Sequence, residues 1–351
     1  MKVAYLFPEE LPMRAARGIQ AVNTAWALAR REDVLFIPAS FGREAVSFYG
    51  LTGPGPEIKP LSRRLGPLKS QFFFVQRALP LIRASDVVFT RHLKTAWWLG
   101  KLRPLHRRPV IYEAHEIFAE KHLKMERLEE EVFRRADLVC CVSRGLRAAI
   151  KARYLREAVV VPNGAWWRVR EVRQKFSAED VGEAYYAGSF RYAWKGQNIL
   201  LRVADMLPEG LKIAVIGEAR FSHPRVKVLG FHPPAEVQRL LDEAQVAILP
   251  NLGDVTQSRF YTCPLKLLDY MAAGCAIVAS DLPSVREIVS PKEALLVPPD
   301  DPRALAEGIK QLASDRELRL SLAQAAHERA KEFTWERRAE RISKLLREVP
   351  S

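Results

Sequence analysis

The stretch TCPLKLLDYMAAGCAIVASDLPSVREIV, Thr262 to Val289, sets a proline, a lysine and an aspartate at spacings that could do chemistry together. Pro264 precedes a helix start, which leaves the amides of Leu265 and Lys266 as outward-pointing donors for a phosphate oxygen. Asp269 and Tyr270 follow about one turn deeper, where the Asp269 carboxylate could accept from two ribose hydroxyls. Gly274 then ends the helix and returns the chain to AIVAS. An isolated helical aspartate is usually only solvated; the order of loop, helix, glycine and strand favours a working one. A second group follows the run AYYAG: Gly188, Ser189, Phe190, Arg191 and then Trp194-Lys195-Gly196 leading into a helix. Amide donors, the helix dipole and Lys195 would all favour a diphosphate there. Taken alone, such a loop reads as readily as a solvated one. His115 stands after the run VIYEA, flanked by Glu113 and Glu116, either of which could tune it; loop capping is its plainer use.

These groups need rigid strand ends to hold them. Short apolar runs alternate with segments of helical period along both halves: KVAYLF, VLFIPA, DVVFTR, VIYEA, LVCCVS and VVVPN, then AYYAGS, KIAVIGE, VKVLGF, VAILPN, AIVASD and ALLVPP. This rhythm predicts two α/β domains, each a doubly wound parallel sheet, and in such sheets ligands lie beyond the carboxyl ends of the strands. The polar stretch from Trp166 to Asp180 marks the boundary, giving domains over 1–168 and 169–334. Residues 335–351 form a helix, with Trp335, Ala339, Ile342 and Leu346 on one face, crossing back to the first domain.

The chain of 351 residues has length enough for two cores, and its 48% hydrophobic and 27% charged residues are a globular balance. Cys140, Cys141, Cys263 and Cys275 form no Cys-x-x-Cys pair and lie near no histidine at ligand spacing, which argues against a zinc site or a disulfide framework. No apolar run approaches the roughly 18 residues of a membrane span, so a soluble, reducing, cytoplasmic setting is expected. The net charge of +14 is carried entirely by residues 1–170, with 30 Lys+Arg against 16 Asp+Glu; the remainder balances at 25 against 25. Phospholipid, polyprenyl phosphate or nucleic acid could meet that half, or it could be a solubilising surface. The aromatic and basic segments Lys69–Arg83 and Arg91–Arg108 could lie on an anionic membrane through Phe72, Phe73, Phe74, Trp97 or Trp98; packing against a sheet gives the same pattern. No nucleic-acid module is recognisable, and none is expected as a partner.

In PLKLLDYMAAGCAIVASDLPSVREIV, with YEAHE, ADLVCCVSRG, VVVPNG, AGSFRYAWKG and LLDEAQVAILPN in order, the chain resembles the retaining GT-B glycosyltransferases of family 4 over nearly its whole length. The resemblance implies two Rossmann-like domains facing a central cleft, and a hexosyl or related transfer from a nucleotide-sugar without cofactor or metal. It gives Lys195 the donor diphosphate, Asp269 the place of the family's ribose-binding glutamate, and His115 the neighbourhood of the transferred sugar. Gly18 takes the place of the glycine loop between first strand and first helix. Three positions depart from the family pattern. Tyr261 stands where the first of two acidic residues is usual, Ser189 fills the arginine position after the strand glycine, and Arg17-Gly18 replaces a double glycine. Arg191, two residues beyond Ser189, is therefore assigned the diphosphate, while the Tyr261 and Ser189 departures keep a catalytically silent nucleotide-sugar-binding protein as the alternative. Front-face attack by the acceptor hydroxyl is expected, in cell-envelope glycan or glycolipid synthesis, with a lipid-linked or other anionic acceptor and peripheral contact at the inner membrane face.

Overall fold

The computed structural model describes residues 1–66, 68–176 and 181–349, so the last residues of the boundary stretch, 177–180, lie outside the described ones. The chain forms two compact units, Met1–Pro162 with Trp335–Ser351, and Asn163–Thr334.

In the first unit the strands are β1 (Lys2–Leu11), β2 (Asp33–Phe41), β3 (Glu57–Ile58), a hairpin of β4 (Arg64–Leu65) and β5 (Leu68–Lys69), β6 (Val87–Thr90), β7 (Val110–Ala114), β8 (Leu138–Cys141) and β9 (Val159–Val160). Seven of them make one parallel sheet in the order β3-β2-β1-β6-β7-β8-β9. Helices cover both faces of such a sheet, which is why its strands read as unbroken apolar runs. Val3 to Phe7 are fully buried. Helix Gln71–Arg83 opens on Ser70, whose side chain accepts from the Phe72 amide at 3.1 Å. It sends Phe74, Val75, Ala78 and Ile82 into the core. The Phe72 ring lies 4.6 Å from that of Trp98, and Trp97 donates its indole N–H to Glu131 at 3.0 Å. Phe74 is thus a core residue, and the other aromatics of both segments are at least partly packed among their neighbours.

Helix Trp335–Glu348 packs on helix Ala16–Ala29 and buries Trp335, Ala339, Ile342 and Leu346. Its Arg338, on the same buried side, is only 1% exposed.

In the second unit β10 (Glu183–Ala187), β11 (Lys212–Ile216), β12 (Val226–Gly230), β13 (Val246–Leu249), β14 (Ala276–Ser280) and β15 (Leu295–Val297) form a parallel sheet in the order β12-β11-β10-β13-β14-β15. The chain enters this unit at Asn163 rather than at 169, because Asn163 is already tied to Cys263: its side-chain amide donates to the carbonyl at 2.8 Å. Two residues later the Ala165 amide donates to the Phe333 carbonyl at 2.9 Å, pairing the entering chain with the leaving one. Among the described residues no helix is long and apolar enough to cross a membrane.

Candidate functional site

In the second sheet the strand order reverses between β10 and β13, the place where an open α/β sheet parts to admit a ligand. The Tyr270 hydroxyl spans that gap, accepting from the Ala187 amide at 2.7 Å and donating to the Ile248 carbonyl at 3.3 Å. This fixes helix Leu265–Ala272, whose N-terminus is reached through a buried Pro264. The amides of Leu265 and Lys266 have no acceptor among the described residues.

The Lys266 ammonium is buried, has no hydrogen-bond partner among the described residues and stands 3.7 Å from the centroid of the Tyr186 ring. Burial and then the charge of Lys195 hold it well below the usual lysine range. Gly188, at φ +131°, leaves the room it needs, since a Cβ there would come within 3.2 Å of Nζ. One turn along the same helix, the Asp269 carboxyl has no ion pair or hydrogen bond among the described residues, and burial pushes it up to about 7. Opposite charges three residues apart on a helix ordinarily attract. Here each is left open, as though for a third body.

The loop after β10 adds a second lysine. Lys195 is flanked by the rings of Tyr192 and Trp194 at 5.6 and 5.9 Å, and burial followed by the Arg191 charge lowers its pKa. Arg191 itself is exposed and leans on Tyr192 at 6.0 Å, and Ser189 is exposed as well. Gly196 fixes the loop: at φ +80°, a Cβ on it would meet the Pro250 carbonyl oxygen at 1.9 Å. Gly196→Ala should therefore lower stability on the order of 2 kcal/mol through the left-handed backbone and the clash, read as a fall in the urea midpoint. Tyr261 is buried at the end of the turn Gln257–Tyr261.

Two members of this site carried no signal at the level of sequence. Tyr186 stacks on Phe190 at 4.4 Å and supplies the face over which Lys266 lies. Asn251, directly after Pro250, has a buried side-chain oxygen without a partner. A tyrosine or an asparagine near a strand end is too common to single out. By contrast, the cations lining the roughly 450 Å³ hollow beside Lys175 are already engaged. Arg170 meets Asp242 at 2.9 Å, and Lys175 donates to the Leu241 and Ala273 carbonyls.

His115 and Gly18 belong to the N-terminal unit. Gly18 is not in a loop: it sits in the first turn of helix Ala16–Ala29, where a Cβ would strike Met13 and the Tyr49 hydroxyl, so its role in the structure is close packing. His115 Nε2 lies 3.4 Å from Glu113, which is fully buried, whereas Glu116 is turned to Lys121 at 2.5 Å. Glu113 is also bound by Arg338 and receives Gln20 at 3.0 and 3.2 Å. Burial would raise the Glu113 pKa, but Arg338, His115 and Arg91 outweigh it and hold the carboxyl well below its usual range. For His115, burial and then Arg91 prevail over Glu113 and bring the imidazole down to about 4. It is neutral near pH 7.

Two doubly wound parallel-sheet units, one bearing an open lysine and an open carboxyl at its switch point, place the chain among the α/β proteins whose ligands lie at such a point. Residues 18–165 match the sequence model described as Glycosyltransferase Family 4, and residues 183–315 match the one described as Glycosyl transferases group 1. The chain thus has the GT-B fold and matches a glycosyltransferase model in each of its two halves. It is 28% identical over 141 residues to the D-inositol 3-phosphate glycosyltransferase of Corynebacterium urealyticum, across 40% of this chain and 30% of that one. To the amylovoran biosynthesis glycosyltransferase AmsK of Erwinia amylovora it is 33% identical over 89 residues, across 25% and 22%. The chain therefore spans less than a third of the length of either relative. In fold it superposes on Anabaena Alr3699/HepE, solved in complex with UDP, with a TM-score of 0.76 at 19% identity, covering 99% of this chain and 100% of that one.

Proposed function

We propose that the protein transfers a sugar from a nucleoside diphosphate sugar to an acceptor hydroxyl, with retention and without a metal ion. The observation that carries this reading is the pair of open groups on one helix turn, the Lys266 ammonium and the Asp269 carboxyl, beside the free amides of Leu265 and Lys266. A nucleoside diphosphate satisfies all of them: phosphate oxygens take the ammonium and amides, and ribose hydroxyls donate to the carboxylate. Lys195 and Arg191 supply further positive charge from the loop. As the bond to the sugar breaks, the charge on the departing diphosphate is met by these fixed donors. The acceptor hydroxyl attacks the anomeric carbon on the face the diphosphate leaves, and its proton passes to the departing phosphate oxygen. His115, neutral and held by Glu113, serves the transferred sugar.

Relatives bearing the names of a D-inositol 3-phosphate glycosyltransferase and an amylovoran biosynthesis glycosyltransferase support an acceptor in glycan or glycolipid synthesis. The four free, buried cysteines fit a reducing, cytoplasmic setting.

A thermal-shift series with UDP-, GDP- and ADP-sugars tests donor binding, since a ligand of the folded state alone raises the midpoint. No rise with any of them would sink the proposal. Product NMR tests retention, and an inverted linkage would overturn it. Activity should persist in excess chelator. Lys195→Ala should lower turnover about a hundredfold, the scale of one lost donor to a developing anion, with the rate measured at saturating donor. Donor binding with neither transfer nor hydrolysis would instead identify a silent binding protein.

A further inference from the structure

The N-terminal unit has its own switch point, between β1 and β6, and the charges gathered there do not balance. Arg17 grips Glu9 at 2.9 and 3.1 Å, and His92, just beyond β6, approaches the same carboxylate at 3.6 Å. Arg91 donates to the Gln20 side chain at 2.5 Å and to the Arg17 carbonyl at 3.4 Å. Arg63 lies within electrostatic reach of His92, and its Nε is buried with no partner among the described residues. The other carboxylate in the network, Glu113, is already bound by Arg338. Four guanidiniums thus face two carboxylates, a surplus of two positive charges in a region largely withdrawn from water.

Two histidines register that surplus. Burial, then Arg91, Arg17 and Arg63, hold His92 well below the ordinary imidazole range. His115 is brought down even with Glu113 at 3.4 Å. An uncompensated positive potential of this kind is expensive to keep buried unless an anion neutralises it. A phosphate monoester carries between about 1.5 and 2 negative charges near pH 7, which matches the excess.

We propose that this switch point receives a phosphoryl group carried by the acceptor, with Arg63 and Arg17 as its direct ligands and Arg91 behind them. The inference rests on the glycosyl-transfer reading and names the acceptor's chemistry: a hydroxyl compound bearing a phosphate, whether a small soluble ester or a lipid phosphate. Arg63 is the residue to test, because no side chain among the described residues is bound to it and it precedes only a short hairpin.

Calorimetric titration with glycerol 3-phosphate gives the soluble arm, and polyprenyl phosphate in detergent micelles gives the lipid arm, with glycerol and polyprenol as uncharged controls. Wild type should bind at least one phosphate and neither control. Arg63→Gln should weaken that binding at least tenfold, and Arg63→Lys should recover part of it. UDP affinity should stay within twofold of wild type in both variants. Absence of binding on both arms would overturn the proposal, as would an Arg63→Gln variant that binds phosphate like wild type. An equal loss of UDP affinity would also overturn it, by showing that these cations face the donor diphosphate. If phosphate binds as described but no nucleotide-sugar does, the transfer reading fails while the phosphate site stands.

Discussion

Replacing Lys266 by methionine should weaken nucleoside diphosphate binding by about a thousandfold while leaving the unliganded protein as stable as wild type or more so. The two effects have one cause. Wild type keeps an ammonium buried over Tyr186 with no acceptor, and methionine fills a similar volume without that cost. The same ammonium, once a diphosphate arrives, becomes half of a buried ion pair, and removing one partner of such a pair costs about 2–5 kcal/mol. At about 1.4 kcal/mol per decade, a loss near 4 kcal/mol is the thousandfold stated.

The direction of the pH dependence follows from the same geometry. Burial and Lys195 hold the unliganded Lys266 pKa well below its ordinary value, and a bound diphosphate raises it. At Lys266 the complex therefore holds more protons than the free protein, and this group's share of the affinity falls as pH rises through the depressed value. Titration with UDP in two buffers of different ionisation enthalpy should show more proton uptake, or less release, in wild type than in Lys266→Met. A variant that binds UDP like wild type, or that loses stability along with affinity, would make Lys266 a packing residue.

The chain's own residues show why the fold was easier to read than the site. Parallel strands covered on both faces must be apolar throughout, so all twelve runs singled out in the sequence appear as strands. β3, β4 and β5 carry too few residues to leave a period. Lys266 drew notice for its amide, because spacing speaks about the backbone; that its ammonium would lie on Tyr186 depends on a strand some 80 residues earlier. A glycine after the first strand suits a loop as well as a helix start, so the sequence does not tell the two apart at Gly18. In the structure it lets Met13 and Tyr49 close on the helix. Arg338 is the plainest case. In WERRAERISKLLRE it is one of several arginines on a charged helix, and nothing in the sequence sets it apart from Arg337. Only the fold brings it to Glu113, 225 positions away.

That contact carries the second large effect. Arg338 commits four of its five guanidinium N–H groups: Nε donates to Thr24 at 3.0 Å, Nη1 to the carbonyls of Val161 and Pro162 at 2.8 Å each, and Nη2 to Glu113. It joins the C-terminal helix to β7 and to the last residues before the chain leaves the N-terminal unit. Glu113→Ala should destabilise this unit by about 3–5 kcal/mol, since a buried guanidinium is left without its counter-charge. The double variant Glu113→Gln with Arg338→Met should be less harmed than the sum of its singles, because it removes the stranded charge as well. Acid should act in the same sense as Glu113→Ala. The Glu113 carboxyl is held below its unfolded value, so its stabilisation is present above the ordinary carboxylate range and is lost as pH falls through the depressed folded value. His115 adds to this: unfolded it takes a proton near 6.5 but folded only near 4, so stability drops as pH falls between them. Urea midpoints measured from pH 7 down to pH 4 should decline in wild type and decline less in His115→Gln. Turnover gives the functional side of the same test. With Glu113 replaced by glutamine, the charge that opposes burial at His115 is gone, and its pKa should move further down. The acid limb of the turnover profile should move with it where His115 serves the sugar as the neutral imidazole, and an unmoved limb would leave the Glu113 and Arg338 pair a structural brace alone.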